Sequence, residues 1–240
     1  MEVASLPAKI ALAFQHGGFW MYPILMYQIF SLAIIVERGY ALFLARKLGQ
    51  VGFANQLQDS IRRGEIDLAI KKAQQDEKQY SLAKVVIAGA EAAKNFGGKD
   101  EIQGKMDEVL LHENSLLDRR VGFLAMIGNV ATLTGLLGTI TGMIKSFAAV
   151  AYANPADKAA LLAAGISEAM NATAYGLIVA IPALLSYAIY QNRSNRLSED
   201  LNHAALKVFN WLSYTFDPVA LRNQTKAKTH AEATTTELVN

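Results

Sequence analysis

The sequence predicts an all-α integral membrane protein with three transmembrane helices, two of them extended far into the cytoplasm. Three observations predict it. Residues 10–36, 121–144 and 169–192 contain no Asp, Glu, Lys or Arg, and each run reaches the roughly 20 residues that a membrane-crossing helix needs. The chain is 52% apolar, high for a soluble domain of its length. No segment shows the apolar–polar alternation of a strand over a useful length.

The composition also excludes. Formal charge is nearly balanced at +2, so there is no basic footprint for nucleic acid. The absence of Cys removes disulfides and thiolate metal sites. His16, His112, His203 and His230 are scattered and form no metal-ligand spacing. No cofactor motif is present, and nothing points to an enzyme.

In the first region, 1–45, the crossing starts near Trp20, with His16, Gly17 and Gly18 outside the membrane. A cleaved signal peptide fits poorly: the charged leader is thin and the apolar run is too long. Ile24, Leu25, Ile29, Phe30 and Leu32 give this span little polar content, so it reads as lipid-facing. The next region, 46–98, reads as cytoplasmic helices. Gly64 breaks one, and acidic residues from Glu65 restart another. A further amphipathic stretch runs from Ser81 to Phe96.

The third region, 99–150, reads as one long helix that includes the second span. It has no Pro, and up to the start of the second span only Gly104 and Gly122 are weak interruptions. A helix of about 45 residues would be about 70 Å long. The fourth region, 151–216, holds an outer loop and the third helix, which continues past the membrane to Phe216; Asp217-Pro218 stops it. Residues 217–240 are a polar tail. Basic residues cluster after spans one and three and before span two, at Arg38, Arg46, Lys47, Arg119, Arg120, Arg193 and Arg196. That asymmetry places the N-terminus outside and the C-terminus in the cytoplasm, the chain being multi-pass.

Polar and small residues inside the spans carry the functional signal. Gly128, Ala131, Gly135, Gly138 and Gly142 fall at spacings of 3, 4, 3 and 4, one helix face that permits close backbone approach. Gly176 offers the same on span three. Thr132, Thr139 and Ser146 repeat every seven residues beside that stripe. Such hydroxyls either bond the carbonyl one turn back or form a partly hydrated face, and their recurrence in phase favours the second. Thr173 lies early in span three. Pro182 cannot donate to Ile178, so a kink is expected there, tolerated or functional. Glu168, at the outer end of that span, is either a helix-start carboxylate favoured by the dipole or a charge at the mouth of a cation path. No Asp, Glu, Lys, Arg or His lies at depth. A proton relay across about 30 Å of hydrocarbon normally needs one, so a titrating carboxylate would have to come from another polypeptide.

Five stretches fall in order: Gly17 to Leu25 (Gly-Gly-Phe-Trp-Met-Tyr-Pro-Ile-Leu), Val36-Glu37-Arg38, Gly135 to Gly142 (Gly-Leu-Leu-Gly-Thr-Ile-Thr-Gly), Gly165 to Thr173 (Gly-Ile-Ser-Glu-Ala-Met-Asn-Ala-Thr) and Ala180 to Ala183 (Ala-Ile-Pro-Ala). Together they resemble the MotA/TolQ/ExbB proton-channel family, nearest its ExbB/TolQ branch, over most of residues 17–215. The resemblance implies a bacterial inner-membrane homopentamer around two copies of a single-span ExbD/TolR-like partner. That partner supplies a membrane Asp, and proton passage drives an envelope motor. It also implies pore-facing roles for Thr139 and Thr173 and matches Glu168 to the motif glutamate. Ala164 stands where the family often has Pro, which leaves the choice between ExbB and TolQ open. A flagellar stator would show four spans and a larger cytoplasmic domain. The rival readings are the same ring powering gliding or a flagellar-type stator, and a membrane scaffold that conducts no ion.

Overall fold

The computed structural model describes residues 18–95 and 98–216, and every regular element among them is helical. In chain order these are α1 (Met21–Gly39), a π-helical turn (Tyr40–Ala45), α2 (Gln50–Arg62), α3 (Ile66–Gln75), α4 (Ser81–Asn95), α5 (Lys99–Asp118), α6 (Val121–Ala151) and α7 (Lys158–Phe216). Helical stretches 21–62, 99–151 and 158–216 each contain a window long and apolar enough to cross a membrane. The chain is thus an all-α, multi-pass membrane protein. The tail and residues 1–17, including His16 and Gly17, lie outside the described residues.

Two expectations need correction. The single helix expected over 99–150 is two helices. Arg119 is extended (φ −54°, ψ 131°) and Arg120 is left-handed (φ 63°). Arg120 is the only non-glycine with positive φ among the described residues, a conformation that costs an L-residue about 1–2 kcal/mol. The compensation visible in the structure is a contact: Arg120 Nη1 reaches Glu37 Oε1 and Oε2, both at 2.7 Å. The charges that bound the uncharged runs put the outer loop at Lys145 to Glu168, but it is only residues 152–157, because α6 continues to Ala151 and α7 begins at Lys158. Asp157 accepts the first turn's bond from Leu161 N–H at 3.0 Å, and the Ala- and Leu-rich run that follows favours helix.

The chain divides into two compact units, Met1–Gly39 with Arg120–Gln191 and Tyr40–Arg119 with Asn192–Asn240. In the first, α1, α6 and residues 158–191 of α7 bury Ile24, Ala131, Val179 and Ala180, with Tyr27 and Tyr175 packed against them. Their outward faces carry Ile29, Phe30, Val36, Leu133, Ile178 and Leu185, all more than half exposed. That is the distribution expected of helices solvated by lipid rather than water.

The second unit has a conventional core around Leu57, Ile61, Leu82, Ile102, Leu201 and Leu212. Gly64 ends α2 with φ 77°, and α3 restarts at Ile66. Asp200 Oδ2 accepts from the N–H groups of Gly49 and Gln50, at 2.7 and 2.8 Å, capping the start of α2. Glu113 is fully buried, with Lys84 Nζ at 2.8 Å and Arg46 Nη1 at 3.0 Å. Burial alone would raise its carboxyl. Lys84, Arg46 and Ser81 together outweigh burial and hold it below the usual glutamate value. In the π-helical turn, the Leu42 carbonyl accepts from Arg193 Nε at 3.2 Å, and Arg193 stands 5.2 Å from the Phe43 ring centroid.

Candidate ion-path site

The face of α6 that meets α7 is made of small residues. Gly128, Ala131, Gly135, Gly138, Gly142 and Ser146 are its buried positions beyond Ile127. A Cβ placed on Gly135 would stand 3.1 Å from the Ala172 carbonyl oxygen, and one on Gly176 2.8 Å from that of Ala131. Equivalent atoms on Gly138 and Gly142 would meet Ala172 Cβ at 2.7 Å and Ala169 Cβ at 3.0 Å. The glycines therefore bring two helix backbones into near contact, where dispersion replaces the missing hydrophobic force of a lipid solvent. Pro182 lies exposed inside a helix that continues through it.

That close approach brings Thr139 and Thr173 together. Their hydroxyls are hydrogen-bonded to each other across α6 and α7. Thr173 Oγ1 also donates to the Gly135 carbonyl at 2.9 Å. Thr139 Oγ1 lies 3.4 Å from the carbonyls of Gly135 and Ala169. A hydroxyl has one proton to give and two lone pairs to accept with. When Thr173 donates to Gly135, the shared bond runs from Thr139 to Thr173. Two hydroxyls and two carbonyls thus form a short polar chain, half-buried, in spans that contain no carboxylate, His, Lys or Arg. Such a group can orient a water or pass a hydrogen bond along. It cannot itself hold a titrating charge near neutral pH.

The other span-two hydroxyls behave differently. Thr132 Oγ1 donates to Gly128 O at 3.0 Å and Thr134 Oγ1 to Val130 O at 2.8 Å. This is the one-turn-back bond, which commits each hydroxyl's single proton to its own helix. Ser146 is buried against Gly165, where an added Cβ would collide with its Oγ. The expected seven-residue polar stripe is therefore not one surface: Thr139 bridges helices, Thr132 serves its own helix and Ser146 is enclosed.

Glu168 is not a helix-start residue. α7 begins ten positions earlier, at Lys158, and a dipole contribution fades beyond the first turn. Glu168 instead packs on Gly18: a Cβ there would lie 2.0 Å from Glu168 Oε1. Next to Gly18, Trp20 Nε1 donates to Thr141 Oγ1 at 2.7 Å. The segment before α1 thus touches α6 at Thr141 and α7 at Glu168, each about three turns inside its helix.

Sequence reasoning missed how α1 is tied to its neighbours. Tyr175 donates to Gln28 Oε1, and Tyr190 Oη donates to the Ile35 carbonyl at 2.9 Å. With Trp20 and Thr141 these make α1 a polar-bonded member of its unit, not a plain lipid-facing anchor. The signal was present. A lone Gln in the middle of an apolar span needs a partner, and Tyr175 sits at mid-span on α7. Among the described residues no group of three His, Cys, Asp or Glu side chains could hold a metal.

The sequence profile of the MotA/TolQ/ExbB proton channel family matches residues 73–203, more than half of the chain. The chain belongs to this family. Individual relatives agree. The biopolymer transport protein ExbB of Pseudomonas putida is 25% identical over 196 residues, covering 78% of this chain and 59% of its own length. The biopolymer transport protein exbB1 of Vibrio cholerae is 24% identical over 201 residues, 82% of this chain and 86% of that one. The Tol-Pal system protein TolQ of Haemophilus influenzae is 38% identical over 95 residues, 40% of this chain and 41% of that one. The chain spans three fifths or less of the Pseudomonas and Haemophilus relatives. The family match takes in Thr139, Glu168 and Thr173, and the whole small-residue face between α6 and α7.

Proposed function

We propose that the chain is the ring-forming subunit of a proton-motive-force-driven motor in a bacterial inner membrane, of the ExbB/TolQ kind. Five copies surround two copies of a single-span ExbD/TolR-like partner that carries a membrane Asp. The N-terminus is periplasmic and the C-terminus cytoplasmic. No covalent bond is made or broken; the work is ion passage coupled to movement of the partner. The observation that carries this reading is the Thr139–Thr173 contact in two spans without a titratable charge at depth. Hydroxyls there can hand a proton to and from a carboxylate that another polypeptide brings. Membership of a proton-channel family supports the same assignment.

A non-conducting scaffold would use the same threonines for packing only. Thr139→Val and Thr173→Val separate the two readings, because Val keeps the shape and removes the hydroxyl. An interhelical hydrogen bond in a membrane contributes on average about 0.6 kcal/mol, too little to disassemble a ring. The expected outcome is rings of unchanged mass by native mass spectrometry, with motor output in cells lost. Full output from the double variant would leave the scaffold reading standing.

A further inference from the structure

The first unit holds a groove of about 470 Å³ between α1 and α6. Its walls are Tyr27, Phe30 and Ile34 on α1 and Phe123, Met126 and Val130 on α6. Glu37 and Arg120 line one end. From that pair to Tyr27 and Val130 is ten residues along either helix, about 15 Å at 1.5 Å per residue. That is one leaflet of a hydrocarbon core about 30 Å thick. The groove is therefore apolar along its length, charged at one end, and one leaflet deep.

In a bilayer some chain always fills an outward-facing groove, so apolar walls alone select nothing. The arginine does. Among the described residues, the side-chain hydrogen bonds of Arg120 all come from Nη1, to Glu37. Its Nη2 and Nε therefore keep three N–H donors for another acceptor. Glu37 is shared with Arg38 Nη2, at 2.8 Å, so its charge is divided between two guanidiniums. The Arg120 and Glu37 side chains are 43% and 41% exposed. An exposed pair of this kind is worth little by itself, and it admits a phosphate beside it. The left-handed backbone of Arg120 stands at the groove mouth, immediately before the first turn of the 31-residue helix α6. That turn adds backbone N–H groups of the sign an anion prefers.

We propose that this groove seats one acyl chain of an anionic phospholipid from the adjacent leaflet, with its phosphate on the Nη2 and Nε donors of Arg120. Basic sites between membrane helices recognise anionic headgroups in this way. The proposal needs only a membrane-embedded chain and is independent of the motor reading.

The test uses the full-length protein, purified in mild detergent, stripped of lipid and titrated with phosphatidylglycerol or phosphatidylcholine. Retained lipid is counted by native mass spectrometry. Wild type should retain phosphatidylglycerol roughly fivefold better, the advantage of one basic residue at an anionic surface. Arg120→Gln should erase that preference. Val130→Trp, at the far end from Glu37, should lower retention of both lipids while leaving Arg120 intact. Circular dichroism confirms that each variant is folded, and at least one folded variant suffices for the comparison. Equal retention of the two lipids by wild type would overturn the proposal, as would an undiminished preference in Arg120→Gln. A change of oligomer mass in Val130→Trp with phosphatidylglycerol retention unchanged would also overturn it, assigning the groove to a second copy of the chain.

Discussion

Thr139 and Thr173 stand 34 positions apart in sequence and share one hydrogen bond, so the chemistry of this site depends on how close two backbones come. Both residues were legible from the sequence, because a hydroxyl without charge in an apolar span needs a reason. Their contact was not, since register between helices is set by packing. Glu168 shows the opposite case. Its place at a span boundary was legible, but its surroundings were misread, because the helix boundary was set by charge. The Ala- and Leu-rich residues from Lys158 onward already favour helix. Two substitutions separate its charge from its position. Glu168→Gln removes the charge and keeps the shape. Gly18→Ala keeps the charge and displaces it, since a Cβ would stand 2.0 Å from Oε1. It also strains a backbone at φ 69° by about 1–2 kcal/mol. Both variants should assemble rings of normal mass with reduced motor output in cells. Full output from Glu168→Gln would show that the carboxylate's charge is dispensable.

The element that sets this geometry is the small-residue face of α6, read directly from its 3, 4, 3, 4 spacing. Its glycines are not equivalent to other glycines. A methyl on Gly176 would meet the Ala131 carbonyl oxygen at 2.8 Å and the Gly135 Cα at 3.1 Å. Backbone atoms cannot swing aside, so α6 and α7 would have to separate. Overpacking of this kind costs about 1–3 kcal/mol. Gly122, near the start of α6, would meet nothing within 4 Å, and Ala there gains helix propensity of about 1 kcal/mol or less. Gly176→Ala should therefore lower the thermal midpoint in detergent and weaken motor output, while Gly122→Ala leaves the midpoint equal or higher. Equal midpoints would mean that the two helices are not held at the distance described. The break at Arg119–Arg120 was illegible for a physical reason. No Gly or Pro stands at the break itself, Gly122 two positions on being only a weak interruption, and the left-handed residue is an arginine held by Glu37, a partner 83 positions away. The ties of α1 through Gln28 and Trp20 escaped because one amide was outweighed by many apolar neighbours.

Across the whole molecule, two units divide the tasks: one carries the apolar faces and the threonine pair, the other a larger buried helical core. The second unit has its own pH signature. Glu113 titrates below its ordinary value of 4.5 in the folded state. The stability it contributes is thus complete above the unfolded-state value and is lost as pH falls through the lower, folded-state value. Glu113→Gln abolishes that dependence and leaves Arg46 and Lys84 without their shared carboxylate. Both are partly exposed, so the loss should fall below the 3–5 kcal/mol typical when one partner of a fully buried pair is removed. In denaturant titrations the variant should be less stable than wild type at pH 7, and the gap should narrow toward pH 3. A gap independent of pH would mean that Glu113 matters for shape alone. The motor reading makes the larger demand, that this chain supplies hydroxyls and its partner supplies the titrating carboxylate. The most direct measurement is proton flux into liposomes under an imposed gradient, with this subunit alone and with a single-span partner carrying a membrane Asp. Weak or no flux is expected from the subunit alone. Flux should appear when the partner is present and be lost when Thr139 and Thr173 are both changed to Val. Robust gradient-driven flux from the subunit alone, or flux with the partner that survives both substitutions, would contradict the motor reading.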